Sequence, residues 1–208
     1  MKLVLLSGGS GKRLWPLSND SRSKQFLKVL RNRRTHEPES MVQRVWSQLV
    51  QLGLAGSAYI ATCKTQIEII RSQLGNAVPL IIEPERRDTF PAIALACAYL
   101  HSVVQAHPDE VVCVLPVDPA VEEKYFAELM QLERIVLDSG ADVALMGVEP
   151  TYPSEKYGYI VPDAPAEASL PYSYAGVLRF EEKPKEARAA ELIRGHALWN
   201  CGVFAFRL

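Results

Sequence analysis

Histidine is scarce and cysteine lacks any pattern. Four histidines and four cysteines occur in 208 residues. No C-x-x-C pair and no histidine at ligand spacing accompanies Cys63, Cys97, Cys113 or Cys201, which excludes a zinc framework and a disulfide scaffold. Three of the four lie in apolar runs, where a thiol behaves as a small hydrophobe, so all are read as reduced and buried, in keeping with the cytoplasm. Net charge is nearly absent too. The 23 basic and 24 acidic residues leave −1, no overall field to draw in nucleic acid or an acidic membrane, and neither is an expected partner. The basic run "RNRR" at 31–34 has no aromatic platform beside it and reads as a solvated loop. No apolar run reaches the roughly 20 residues of a membrane span. The nearest, "TFPAIALACAYLHSVV" at 89–104, carries Pro91 and His101 and reads as a buried core helix. The opening "MKLVLLSGG" gives way to glycine and cations where a secretory signal would have its cleavage region. What remains is an ordinary globular composition, 48% hydrophobic and 23% charged, enough for one domain with its own core.

Two phosphate-binding motifs are also missing. "LLSGGSGKRLWPLS" at 5–18 has the composition of a phosphate loop, but Leu6 stands where a Walker A loop needs its first glycine and Arg13 follows Lys12 where it needs Ser or Thr. Read as a dinucleotide fingerprint, it puts Leu14 in place of the third glycine. What is left is a run of backbone N–H groups at Gly8, Gly9 and Gly11 that no Cβ obstructs, with Lys12 and Arg13 beside them. Such a loop cradles phosphate or is a glycine-rich turn with solvated cations; alone it does not decide.

Apolar, β-rich runs recur at 2–7, 57–62, 79–83, 110–117 and 141–148, with helical patterns between them. The best helix is 41–51, where Met41, Val42, Val45, Trp46, Leu49 and Val50 form one stripe and Ser40 with Gln43 makes a capping box. Others fall near 64–74, 90–106 and 122–138. Continuous apolar strands alternating with helices predict a doubly wound, mostly parallel, Rossmann-like α/β sheet covered on both faces. After residue 150, Tyr-, Pro- and Gly-rich segments and a short helix near 185–194 predict antiparallel strands added to one end of the sheet. The last strand stops at Leu208 without a turn or cap, so 1–208 is expected to be one domain whose fold is finished by further residues.

Ligands of open α/β sheets bind outside the carboxyl ends of the strands, where this chain places its glycine loop, "EPERRDT", "LPVDPAV", "EKYGY", "EEKP" and "WNCG". Asp118, emerging from a buried strand, is a helix cap or loop anchor, or a magnesium ligand facing phosphates. Lys24 is a surface lysine or returns to the same phosphates as Arg13. Glu83 caps the helix that starts near Thr89 or reads a base edge. Glu182 and Lys183 are an exposed ion pair or part of a site.

"LSGGSGKRLWPLS", "KQFL", "EPERRDTFPAIALA", "LPVD", "PTYPSEKYGYI", "FEEKP" and "WNCGVFAF" occur in the order and spacing of the sugar-1-phosphate nucleotidyltransferases. The chain resembles that family from residue 1 to 208, and "RLWPLS" with "KQF" points to its guanylyl branch. The resemblance implies transfer of GMP from GTP to mannose 1-phosphate, giving GDP-mannose and pyrophosphate. The same chemistry on another base or hexose phosphate, and a nucleotide-sugar-binding module without turnover, are the alternatives. It also implies site residues. Leu6, Ser7, Gly8, Gly9, Gly11, Lys12, Glu83, Arg87, Asp88 and Thr89 would bind the nucleotide; Arg13 and Lys24 would steady the triphosphate. Asp118 would hold Mg²⁺, with a second metal-binding acid expected beyond residue 208. Gly158, Glu182, Lys183 and Asn200 would bind the sugar phosphate. Asp88 stands where the family usually has Asn, and adds a negative charge beside an anionic ligand. The sequence does not fix the oligomeric state, and a homo-oligomer is compatible with it.

Overall fold

The computed structural model describes residues 1–8, 15–19, 22–32, 34–117, 123–163 and 174–208. In chain order its strands are β1 (Lys2–Leu6), β2 (Leu30–Arg31), β3 (Pro38–Glu39), β4 (Ala58–Cys63), β5 (Leu80–Glu83), β6 (Val111–Pro116), β7 (Val143–Val148), β8 (Gly158–Pro162), β9 (Val177–Glu182) and β10 (Leu198–Arg207). Its α-helices are α1 (Met41–Gln51), α2 (Ile67–Leu74), α3 (Thr89–Ser102), α4 (Glu123–Ser139) and α5 (Glu186–Arg194). Strands β5, β4, β1 and β6 lie side by side and parallel. Their side chains alternate between two cores. Leu3, Leu5, Ile60 and Leu115 pack with Val42, Val45 and Leu49 of α1, Ile70 of α2 and Leu129 of α4. Val4, Ala61, Ile81, Val112 and Val114 pack on the other face with Ala96 and Leu100 of α3. Burial on both faces is why these strands read as continuous apolar runs, and the doubly wound expectation holds.

The capping box of α1 also forms: Ser40 Oγ accepts from the Gln43 N–H at 3.3 Å and Gln43 Oε1 accepts from the Ser40 N–H at 3.1 Å. The same hydroxyl donates to Gln73 Oε1 at 2.6 Å, so one side chain joins two helices. Ser40→Ala is expected to cost about 1–2 kcal/mol, read as a lower denaturant midpoint at unchanged slope.

Three expectations are corrected. The helix expected to be buried all round, α3, buries only Ala92, Ala96 and Leu100. Its outward face carries Ala94 and Ala98, whose single methyl groups cost little to leave in water, and its first turn leaves Phe90 78% exposed. Strand β10, expected at one end of the sheet, is inside it. The α4 crossover from β6 to β7 skips one strand position, and β10 fills the gap antiparallel to both, with Phe204 opposite Val114 on one side and Leu145 on the other. Its register breaks between Asn200 and Phe204, where Gly202 has φ 73°, a left-handed value that glycine adopts without penalty. Beyond the break, Trp199 lies between Tyr159 of β8 and Val148 of β7, and β9 pairs antiparallel with β8. The bulge carries the first half of β10, with β8 and β9, past the carboxyl end of β6. All four cysteines are free, as expected, but only Cys63 and Cys113 are buried; Cys97 and Cys201 are half-buried.

Candidate active site

Buried polar side chains gather where the parallel strands end. Ser7, Ser23, Gln25, Thr62, Gln66 and Glu83 are all buried, a costly set unless each finds partners. They do. The Ser7 carbonyl, last before the glycine loop, accepts from Gln25 Nε2 at 2.8 Å and from the Gln66 amide nitrogen at 2.7 Å, which fills both its lone pairs. Next to it Gly8 has no side chain, and a Cβ there would lie 3.2 Å from Glu83 Oε1. The Glu83 carboxylate therefore sits directly against the backbone where the loop begins. Burial pushes the Glu83 carboxyl above its ordinary pKa, an effect the Arg86 guanidinium opposes.

The loop after β5 settles which carboxylate caps α3. Asp88 is the N-cap, its Oδ1 accepting from the Thr89 N–H at 3.0 Å, and Glu83 is not. Asp88 holds φ 70° and ψ −170°, a region that only glycine occupies readily and that costs other residues of order 1–3 kcal/mol. Arg86 reaches back to Cys63 Sγ at 3.0 Å. Arg87 points to the surface and pairs with Glu85 at 2.8 Å, both side chains well exposed. Lys24 opens a single 3-10 turn, Lys24–Phe26, exposed itself but held between buried Ser23 and Gln25.

A second group forms on β8, β9 and β10. Gly158 lies opposite Glu182 in the ladder, and a Cβ on Gly158 would stand 2.5 Å from Glu182 Oε2 and 3.7 Å from the Asn200 Cβ. Lys183 Nζ pairs with Glu182 Oε1 at 2.6 Å, and its φ of 47° turns the chain at the end of β9. Trp199 backs the group, its ring 5.2 Å from that of Tyr152 and 4.8 Å from that of Tyr157 between centroids. A hydrogen bond to Tyr152 raises the pKa of the Tyr157 phenol. Since β6 ends at Pro116, opposite Leu6 of β1, this group lies on the same side of the sheet as Gly8 and Glu83.

A profile of nucleotidyl transferases matches residues 2–208. The chain belongs to the nucleotidyl transferase family. It is 37% identical over 211 residues to the alginate biosynthesis protein AlgA of Pseudomonas putida, covering 98% of this chain and 41% of that one. To a mannose-1-phosphate guanylyltransferase of Escherichia coli it is 33% identical, covering 98% of this chain and 43% of that one. A solved structure from Thermus thermophilus, described as mannose-1-phosphate geranyltransferase, superposes with a TM-score of 0.82 at 30% identity, over 99% of this chain and 57% of that one. The chain thus spans 41% and 43% of the curated relatives it matches.

In this nucleotidyl transferase the structure brings together Leu6, Ser7, Gly8 and Glu83 at the strand ends, with Asp88 and Thr89 at the start of α3, and separately Gly158, Glu182, Lys183 and Asn200. It turns Arg87 outward to Glu85. Gly9, Gly11, Lys12, Arg13 and Asp118 lie outside the described residues. Among the described residues no three His, Cys, Asp or Glu side chains converge as a metal cluster, and no helix is long and apolar enough to cross a membrane. A cavity of about 1250 Å³ lies elsewhere, against α4, β7 and β9, and contains none of these residues. Sequence reasoning missed Gln25 and Gln66. The signal was there for Gln66: a polar side chain four residues before Ile70, on the face that the helix pattern assigns to the core.

Proposed function

We propose that the chain is the catalytic domain of a mannose-1-phosphate guanylyltransferase, transferring GMP from GTP to mannose 1-phosphate. The observation that carries this reading is the pairing of two groups on one side of the sheet. One is a buried carboxylate packed on a glycine loop, Glu83 on Gly8. The other is a cluster of carboxylate, amide and cation around Gly158, with Glu182 and Lys183 exposed and Asn200 half-buried. The first suits a base above a phosphate loop; the second suits the hydroxyls and phosphate of a sugar 1-phosphate. The names borne by the relatives agree with it.

A phosphate oxygen of mannose 1-phosphate attacks the α-phosphorus of GTP in line, the bond from that phosphorus to the bridging oxygen breaks, and pyrophosphate leaves with the electron pair. No protein nucleophile is needed; the work is positioning and charge neutralisation. Arg13 and Lys24 steady the triphosphate, while Lys183 meets the sugar phosphate. A Mg²⁺ ion, which takes one or two carboxylates together with substrate phosphates rather than a protein cage, would neutralise charge on the phosphates. Asp118, next in sequence after the Val117 that ends the β6 run, is the carboxylate the chain offers for it. The reaction is assigned to the cytoplasm. Incubation with GTP, mannose 1-phosphate and Mg²⁺ is expected to give GDP-mannose and pyrophosphate in equal amounts. EDTA is expected to stop it and Mg²⁺ to restore it; full activity in EDTA would remove the metal from the account.

Gly158→Ala tests the sugar group. The new methyl must displace the Glu182 carboxylate, which is exposed and free to move, so the fold should stand. The KM for mannose 1-phosphate should rise about tenfold, the scale of one displaced charged contact, with the KM for GTP within about twofold. Equal rises in both would contradict the assignment.

A further inference from the structure

The ligand contacts assigned above leave one buried group unexplained. Gln66 is fully buried just before α2, and its amide orientation follows from its four partners. The nitrogen donates to the Ser7 carbonyl at 2.7 Å and to Thr62 Oγ1 at 2.9 Å, and the oxygen accepts from Ser23 Oγ at 2.8 Å and from the Arg86 guanidinium at 3.2 Å. Reversed, the oxygen would face the Ser7 carbonyl. Those partners come from four separate segments: the end of β1, the residue before Lys24, the end of β4, and the loop between Glu83 and Asp88.

We propose that Gln66 is a positioning residue of this site, a neutral hub that fixes the Ser7–Gly8 peptide at the start of the glycine loop, the Lys24 turn and the Arg86–Asp88 loop relative to one another so that they meet the nucleotide as one preorganised surface. The inference rests on the functional reading above. Three consequences of the geometry support it. In a trans peptide the carbonyl and the following N–H point in opposite directions, so holding the Ser7 carbonyl from behind with Gln66 and Gln25 turns the Gly8 N–H toward the opposite side. Ser23 stands just before the turn that Lys24 opens, its carbonyl accepting from the Phe26 N–H, so the bond of its hydroxyl to Gln66 fixes where the turn begins. Arg86, which opposes the upward shift of the Glu83 pKa, is held by Gln66 on one side and Cys63 on the other. Only a neutral amide supplies two donors and an acceptor with two lone pairs at one point. A carboxylate there would face the Ser7 carbonyl oxygen, and an apolar side chain would leave Ser23 and Thr62 hydroxyls buried with a partner lost.

The test measures steady-state kinetics of the purified protein with GTP and mannose 1-phosphate, per folded molecule, for Gln66→Leu and Ser23→Ala. Gln66→Leu is expected to lower kcat about 10- to 100-fold, the scale of a small misplacement of catalytic groups, with the KM for mannose 1-phosphate within about twofold because that subsite lies on β8 to β10. A purely structural role would reduce the yield of folded protein and leave kcat per folded molecule unchanged, and that result overturns the proposal. Ser23→Ala removes one bond of the hub, so it serves if Gln66→Leu does not fold. Its kcat should fall roughly 2- to 10-fold, the range of one hydrogen bond, again without a change in the sugar-phosphate KM; an unchanged kcat overturns the proposal. Wild-type protein that turns over no nucleotide would overturn the functional reading and this role with it, whereas normal wild-type turnover with unaltered variants overturns the role alone.

Discussion

Lys24→Ala is expected to lower kcat by about two to three orders of magnitude, the range seen when a preorganised charge aimed at the transition state is removed. The reason is how the structure holds this lysine. Its neighbours on both sides are buried, Ser23 bonded to Gln66 and Gln25 to the Ser7 carbonyl, and the turn closes through Phe26 N–H to Ser23 O at 3.0 Å. The backbone is therefore fixed while the side chain stands exposed. A charge held in that way is already in place as pyrophosphate departs, so its loss should fall on kcat and leave the KM for mannose 1-phosphate within about twofold. An exposed side chain contributes little to the fold, so melting temperatures should match. A raised KM for mannose 1-phosphate with kcat untouched would contradict the role.

Glu83→Gln is expected to move base preference from GTP toward UTP or dTTP by about 1–3 kcal/mol, the scale of one bidentate base contact, which is roughly 5- to 150-fold in the ratio of kcat/KM. Guanine presents two donors side by side, N1–H and the N2 amino group, which an ionised carboxylate with two acceptor oxygens matches. Thymine and uracil offer one N–H between carbonyls, which an amide matches better. The competing role has gone to another residue, since Asp88 caps α3. Burial raises the Glu83 pKa, and two consequences follow with opposite sense. Preference for GTP requires the ionised form, so it should weaken as pH falls through that raised value, and the Gln variant should not show the change. Stability runs the other way. A carboxyl whose folded pKa lies above its unfolded value contributes stability below the unfolded pKa and loses it as pH rises through the folded one. The Gln variant should therefore be at least as stable as wild type at neutral pH, with the difference fading in acid. An unchanged GTP to dTTP ratio in a stable Glu83→Gln protein would leave base selection to the backbone.

The parallel core was legible because strands buried on both faces read as unbroken apolar runs, as in "LVLL" at 3–6 and "VVCVLP". The capping box of α1 was legible for a similar reason, since the pattern and the bond are local. What could not be read was where β10 goes. Its pairing with β6 and β7 depends on a crossover that skips a strand position and on a bulge at Gly202, and no local pattern records either. For α3, hydrophobicity misled because alanine counts as apolar yet is cheap to expose. At the site, Gly158, Glu182 and Asn200 come together because three strands pair in one register, and family resemblance named them before the geometry did. Arg87 was assigned to the nucleotide from its motif, and its exposed pairing with Glu85 two residues earlier is a contact the motif does not record. Gln66 was passed over because three of its four partners, Ser7, Ser23 and Arg86, are distant in sequence.

The most direct measurement is pyrophosphate release from each of GTP, ATP, UTP, CTP and dTTP paired in turn with mannose, glucose and galactose 1-phosphates, with Mg²⁺ present, compared as kcat/KM. The account predicts the highest value for GTP with mannose 1-phosphate, and a fall when either substrate is changed. A maximum at another base or another sugar, or nucleotide binding without pyrophosphate release from any pair, would contradict it.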